Sequence, residues 1–258
     1  MTGSRFSALY SAPAPHAPAQ APHLVCVPYA GGSVRSFWNW PDGLPGVKVH
    51  LAQLPGRGRN AAQPLPESIE EVADGLATAV CALPEGEVAI FGHSLGALIA
   101  FELAVRMTDS GRPPARLFAS GCVAPDISRP RRHHLPDEEF LVLLRGLGAT
   151  PREFFEAPEL LELYLPVLRC DFRLAETYRP DPRTAVGCPL DVLSGRLDDA
   201  VSTADLEGWH TRSTGPVARA AFPGDHFFLH QCEPAVLRHV GAALASHRPQ
   251  LQEREEHS

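Results

Sequence analysis

Short apolar segments alternate with helical patterns along most of the chain. Each apolar run has the length of a buried strand and ends near proline or glycine, and the segments between them carry apolar residues at helical spacing. Strands that alternate with helices in this way favour an α/β fold, in which a mostly parallel central sheet is covered by helices on both faces. The predicted strands are 24–27, 47–54, 88–91, 117–120, 190–193 and 217–222, and the predicted helices are 68–83, 97–107 and 236–245.

The alternation stops between about residues 125 and 182. Helical patterns over 137–146, 152–155 and 158–178 follow one another there, with no strand pattern between them. An all-helical insertion between two strands of an α/β sheet is a natural lid. We therefore expect one α/β domain over residues 23–247 that carries a helical lid.

Both ends of the chain have the composition of flexible tails. Residues 1–22 are rich in proline and alanine and show no periodicity, and residues 248–258 are polar. Such segments have too little patterned apolar surface to offset the entropy of ordering them. We expect both to be flexible.

Composition narrows the class of protein and its partners. The 258 residues are 44% hydrophobic, enough for a substantial core, and the net charge of −7 argues against nucleic acid or an anionic membrane as a partner. No run of about 18 apolar residues and no secretory signal is present. The six cysteines are scattered without zinc-site spacing, which favours free thiols in a reducing compartment. We expect a cytoplasmic monomer.

The segment Gly92-His93-Ser94-Leu95-Gly96 matches G-x-S-x-G, the pattern of a nucleophile elbow. The serine of such an elbow sits on a strained turn between a strand and a helix, and the flanking glycines let the backbone pass. The flanks here are of the required kind, VAIF before and ALIAFELAVRM after. Ser94 is therefore the predicted nucleophile.

A serine hydroxyl needs a base, and in this fold an acid and then a histidine follow the nucleophile along the chain. Among the twelve histidines, His226 fits best, because it lies in a glycine-containing turn just after the predicted strand 217–222. The turn after strand 190–193 contains two carboxylates. Motif spacing favours Asp198 as the acid, and Asp199 is the alternative if it is more than a solvated or helix-capping residue.

Acyl transfer also requires N–H donors for an oxyanion. The backbone amide of Leu95, at the start of the predicted helix, is one candidate. The second is the amide of Ala30 in the loop PYAGGS, whose paired glycines allow a tight turn close to the site. Taken alone, that loop could equally be an ordinary glycine-rich connection.

Five ordered segments together resemble type II thioesterases, the discrete editing enzymes of polyketide and non-ribosomal peptide biosynthesis. They are PYAGGS, QLPGRG, GHSLGA, the D-x-x-V-S turn that begins at Asp198, and GDHFF. The resemblance covers about residues 23–246. It departs from the common pattern at Leu95, where methionine is frequent, and at Asp199, where proline is frequent.

The resemblance implies an α/β-hydrolase fold and a Ser94–His226–Asp198 triad. The implied substrate is an acyl group in thioester linkage to the phosphopantetheine arm of an acyl or peptidyl carrier protein. No metal or soluble cofactor is implied. Carrier proteins of this class tend to be acidic, so the basic run Arg129–His134 is a candidate docking segment, with a solvated loop as the alternative. Pro55–Arg57 is interpreted as a structural turn, or else as part of the entrance.

Three other functions stay open on the sequence. The same residues would serve a small-molecule carboxylesterase or lipase, because one catalytic apparatus can cleave both kinds of ester. A product-releasing or cyclising thioesterase would also carry them, although such enzymes are usually fused to a synthase. A degenerate hydrolase that only binds acyl chains would be expected to have lost one of the three residues.

Overall fold

One seven-stranded sheet organises the chain in the computed structural model, which describes residues 8–14, 17–148, 154 and 156–246. The strands are β1 (Leu9–Ser11), β2 (His23–Val27), β3 (Lys48–Ala52), β4 (Val88–His93), β5 (Arg116–Ser120), β6 (Leu190–Gly195) and β7 (Val217–Phe222). They lie in the sheet in the order β1-β3-β2-β4-β5-β6-β7. All neighbours pair in parallel except β1, which runs antiparallel to β3.

Helices cover both faces of the sheet, as the alternating pattern predicts. The helices are α1 (Trp40–Gly43), α2 (Ile69–Cys81), α3 (Leu95–Asp109), α4 (Asp137–Leu147), α5 (Pro158–Thr177), α6 (Thr203–Glu207), α7 (Phe228–Gln231) and α8 (Glu233–Ser246). On β2, Val25 and Val27 pack into the core beneath α2 and α3, whereas Leu24 and Cys26 face the opposite core beneath α8. Because both faces are buried, the central strands are apolar at successive positions.

The insertion between β5 and β6 contains two helices among its described residues, with loops before and after them. Helices α4 and α5 confirm the helical patterns over 137–146 and 158–178, and the pattern over 152–155 lies mostly outside the described residues. Phe140 and Leu144 of α4 pack against Leu168 of α5 in a small apolar cluster of their own. Within the described ranges, no helix has the length and apolarity that crossing a bilayer requires.

The interpretation of residues 1–22 as a flexible tail is wrong for part of that segment. Leu9–Ser11 form the edge strand β1, which pairs with β3 in the register Leu9 to Ala52. Ala8 and Ala21 are buried, although the segment has no apolar period. The partner strand of β1 lies some forty residues further along the chain, so no local pattern predicts this pairing. Residues 1–7 and the predicted tail 248–258 lie outside the described residues.

A hydrogen-bonded histidine pair joins β1, β3 and β2. Nδ1 of His50 lies 2.8 Å from the Ser11 hydroxyl, and its Nε2 lies 2.8 Å from Nδ1 of His23. Burial, followed by the neighbouring charges of His23 and Lys48, lowers the pKa of His50 to about 4. The folded state therefore holds His50 in its neutral form near neutral pH.

Candidate active site

The predicted nucleophile sits on a strained turn between β4 and α3. β4 ends at His93 and α3 begins at Leu95, which leaves Ser94 between them with φ +55° and ψ −117°. Ser94 is the only non-glycine residue with positive φ in the part of the chain that the structure describes. Such a backbone costs on the order of 1–3 kcal/mol and persists where the surrounding structure enforces it, as at an active site.

The two glycines of the elbow are required by close backbone approach. A Cβ atom on Gly92 would lie 2.0 Å from the carbonyl oxygen of Gly96, and one on Gly96 would lie 2.1 Å from the carbonyl oxygen of Val27. No L-residue with a side chain fits at either position without moving the backbone. The tight turn thus brings the start of α3 directly against the end of β2.

Two loops at the carboxyl ends of β6 and β7 bring the predicted acid and base together. The Nδ1–H of His226 donates to Oδ2 of Asp198 at 2.8 Å. The Asp198 side chain is fully buried, and its Oδ1 accepts the N–H of Ala200 at 3.0 Å. Asp199 is exposed. The carboxylate that the structure joins to His226 is therefore Asp198, the one that motif spacing favours.

Ser94 and His226 line one cavity of about 330 Å³ at this edge of the sheet. No hydrogen bond joins the Ser94 hydroxyl to another of the described side chains. Hydrogen bonds between catalytic groups are often long in substrate-free enzymes and tighten when substrate binds. The cavity thus holds the hydroxyl of Ser94, whose backbone is strained, and the imidazole of His226, whose Nδ1 is bonded to the buried Asp198 carboxylate.

The candidate oxyanion donors line the same cavity. Both Ala30 and Leu95 are among its wall residues. Neither amide N–H donates to an acceptor among the residues that the structure describes. Donors that are fixed in place and unpaired are what stabilisation of a developing oxyanion requires. The arrangement is that of an acyl-transfer site.

Comparison with known proteins identifies the family. The family model of the thioesterase domain matches residues 22–244. The chain belongs to the thioesterase family. It is a hydrolase that acts on acyl thioesters, and its resemblance to type II thioesterases is confirmed.

Several relatives document that membership. The thioesterase PikA5 of Streptomyces venezuelae is 39% identical over 83% of this chain and 77% of its own. The structure of the type II thioesterase BorB from the borrelidin biosynthetic cluster superposes with a TM-score of 0.82 at 35% identity, covering 92% of this chain and 97% of that one. The RedJ thioesterase of the prodiginine pathway in Streptomyces coelicolor superposes with a TM-score of 0.81 at 34% identity, covering 91% and 90%.

Two buried residues that the sequence analysis does not assign to the site, Arg57 and Asp171, form hydrogen bonds to the loop that carries Ala30. The sequence pattern favours a structural turn, or else a part of the entrance, for Arg57. This arginine is buried, does not line the cavity, and forms an ion pair with Asp171 of α5. Asp171 was not singled out at all. The available signal was a carboxylate among the apolar positions of the pattern over 158–178.

His93 supports the site from behind. Its ring is fully buried, its Nδ1 lies 2.9 Å from the Ser120 hydroxyl, and its centroid lies 5.1 Å from that of His226. Burial, and then the neighbouring His226 and His230, lower the pKa of His93 well below its ordinary value. A neutral His93 imidazole adds no positive charge next to His226, the predicted base.

The basic run at the start of the insertion divides into two parts. Arg129 is half-buried and donates to backbone carbonyls, the closest being that of Val123 at 2.9 Å. Arg131 and Arg132 are exposed, and Arg132, like Arg129, lies on the cavity wall. Arg129 therefore has a structural role in its loop, whereas Arg131 and Arg132 are exposed to solvent next to the cavity.

No metal-binding arrangement is found in residues 8–14, 17–148, 154 and 156–246. Within them, no group of three or more His, Cys, Asp or Glu residues is placed to hold an ion.

Proposed function

We propose that this thioesterase hydrolyses acyl groups from the phosphopantetheine arm of acyl or peptidyl carrier proteins, and so clears stalled or misprimed units in polyketide or non-ribosomal peptide biosynthesis. The observation that carries the proposal is the single cavity that Ser94 shares with His226 and with two unpaired amides. Relatives named for such pathways support the choice of pathway.

The proposed reaction is two acyl transfers. His226 Nε2 takes the proton of the Ser94 hydroxyl as Oγ bonds to the thioester carbon, and the oxyanion accepts the N–H groups of Ala30 and Leu95. The C–S bond then breaks, and the imidazolium returns its proton to the departing pantetheine sulfur. Water repeats the sequence on the acyl-enzyme and releases a carboxylic acid and free Ser94. Asp198 holds the imidazole tautomer throughout, and the chemistry requires no cofactor.

The helical insertion acts as the lid in this proposal. Both of its described helices contribute to the cavity wall, Leu147 from α4 and Phe172, Ala175 and Glu176 from α5. The acyl chain would lie against these residues. The apolar side chains of Phe172 and Ala175 would shield the acyl-enzyme from bulk water.

The exposed arginines beside the entrance are the proposed contact for an acidic carrier protein. Neither Arg131 nor Arg132 forms an ion pair with a described carboxylate, so both charges are free to meet a partner. Replacing both by glutamate should raise KM for acyl-carrier protein at least tenfold and leave a small acyl thioester unaffected. Arg112→Glu is the matched control, because Arg112 is also exposed but follows α3 at the opposite end of the sheet. An equal loss on both substrates would contradict docking at this segment.

Cell location and assembly belong to the same proposal. All six cysteines are free thiols, and four of them are buried. Free thiols of this kind fit a reducing compartment. We place the enzyme in the cytoplasm, where carrier proteins are acylated, and assign one active site to each monomer.

The deciding experiment measures turnover of a panel of acyl-carrier proteins by the wild type and by Ser94→Ala. We expect hydrolysis by the wild type, and a loss of at least about 10³-fold in the variant, since triad members act as a unit. Matched acyl-pantetheine and acyl-oxyester substrates distinguish a thioesterase of this kind from a carboxylesterase. Preference for the oxyester, or no turnover of any acyl-carrier protein, would contradict the proposal.

A further inference from the structure

A buried ion pair ties the helical insertion to the sheet. Arg57, in the loop after β3, donates from Nη1 and Nη2 to the two carboxylate oxygens of Asp171 in α5, each at 2.7 Å. The two side chains are 4% and 1% exposed. Burying such a pair costs desolvation energy that its own attraction barely offsets, so its presence calls for a reason besides stability.

Both partners also bond to the loop that carries the candidate oxyanion donor. Asp171 Oδ2 accepts the N–H of Gly31 at 2.8 Å, and Arg57 Nη1 donates to the carbonyl oxygen of Gly32 at 3.2 Å. The ion pair thus holds two successive residues of PYAGGS, because Asp171 accepts the N–H of Gly31 and Arg57 donates to the carbonyl of Gly32. Gly31 has φ +74°, a backbone conformation that residues with a side chain rarely adopt. The hydrogen bond from its N–H to Asp171 stabilises that conformation.

The grip extends to the peptide that contains the Ala30 N–H. The N–H of Gly32 donates to the carbonyl oxygen of Tyr29 at 2.8 Å. That carbonyl belongs to the same planar peptide unit as the Ala30 N–H, so fixing one end of the unit fixes the other. A continuous chain of hydrogen bonds therefore runs from α5, through the ion pair and the two glycines, to the Ala30 donor.

We propose that Arg57 and Asp171 are positioning residues for the oxyanion loop, and that they make the orientation of the Ala30 N–H depend on the seating of α5. The inference rests on the catalytic roles proposed for Ser94 and Ala30, but not on the identity of the carrier-bound substrate. An oxyanion donor works only when it is held in place before the reaction. Loosening the pair should weaken binding of the transition state more than binding of the substrate.

The test compares Asp171→Asn and Arg57→Lys with the wild type on a small acyl thioester. We expect kcat to fall about 10- to 100-fold with KM within about threefold, because a displaced donor stabilises the oxyanion less than a fixed one. An alkyl boronic acid, which forms a tetrahedral adduct on the serine, should lose affinity by a similar factor. Asp171→Ala, which removes the acceptor of the Gly31 N–H altogether, should give the larger loss.

Asp191→Asn is the matched control. Asp191 is also a buried partner of an arginine, Arg116, but it lies near the start of β6, at the far end of the sheet from the cavity. Its loss should lower the melting temperature without changing kcat or boronate affinity. The inference is overturned if folded Asp171→Asn and Arg57→Lys keep kcat and boronate affinity within twofold, or if they change only the melting temperature.

The two proposals fail differently. A wild-type enzyme that cleaves the small thioester but no acyl-carrier protein would contradict the proposed pathway role and leave this inference standing. Full activity of the ion-pair variants on both substrates would overturn this inference and leave the proposed pathway role standing.

Discussion

Replacing Asp198 by asparagine tests the acid–base arrangement at a single atom. The carboxylate accepts from two donors at once, the His226 Nδ1–H at 2.8 Å and the Ala200 N–H at 3.0 Å. An amide has one oxygen and one NH2 group, so it can satisfy only one of them. If its oxygen faces Ala200, its NH2 faces His226 and selects the imidazole tautomer whose Nε2 already carries a proton. If its oxygen faces His226, two donors meet at Ala200, which costs about 1–3 kcal/mol.

The first arrangement disables the base, because a protonated Nε2 cannot accept the Ser94 proton. We expect kcat to fall by about 10³- to 10⁴-fold, equivalent to about 4 to 5.5 kcal/mol of transition-state stabilisation, while KM changes little. The assay is steady-state hydrolysis of a small acyl thioester, with thermal melting to confirm that the variant is folded.

Asp199→Asn is the matched control for this prediction. Its carboxylate is exposed and lies on the cavity wall, so the same substitution there should leave kcat/KM within about threefold. A crippled Asp199→Asn beside an active Asp198→Asn would reverse the assignment. Tolerance of both substitutions would refute the reasoning that a buried carboxylate sets the tautomer.

Three further predictions concern the fold that holds the site. Gly96→Ala places a Cβ 2.1 Å from the carbonyl oxygen of Val27, so we expect loss of folded, active protein, scored by circular dichroism. His50 is neutral when folded, so its contribution is fully present above about pH 6.5 and is lost as the pH falls towards 4. Between pH 7 and pH 5, protonation of His50 should lower the free energy of unfolding by about 2 kcal/mol. His50→Gln should flatten this pH dependence of the free energy of unfolding in urea titrations. Arg212→Met removes the ion pair to the exposed Asp126 and the donor to the Pro182 and Thr184 carbonyls, so stability should fall by about 1–3 kcal/mol and the melting temperature by about 2–12 °C.

Local chemistry made the nucleophile predictable. A strand, a glycine-flanked serine and a helix follow one another within some twenty residues, so the turn that exposes Ser94 is encoded where it forms. The order of acid and histidine after that turn also made His226 predictable, because loops at the carboxyl ends of parallel strands meet at one edge of the sheet. The central strands were predictable for a related reason, since burial on both faces of the sheet leaves continuous apolar runs.

Contacts between distant segments lay beyond that reasoning. Asp198 and Asp199 are neighbours with the same chemistry, and only the packing of the β6 and β7 loops turns one towards His226 and the other to solvent. Residues 9–11 have the composition of a tail, yet they form a strand because an open edge of β3 supplies hydrogen-bond partners.

The sequence by itself determined the fold class and singled out Ser94 and His226 as the predicted nucleophile and base, because each depends on short-range pattern or on chain order. Only the tertiary structure decided which carboxylate meets His226 and how the loop that carries Ala30 is held. The Arg57–Asp171 pair joins residues 114 positions apart, and its partners are recognisable only when α5 is seated on the sheet. Hydrogen bonds and ion pairs act over a few ångströms in space, so the separation of two residues along the chain does not indicate whether they form one.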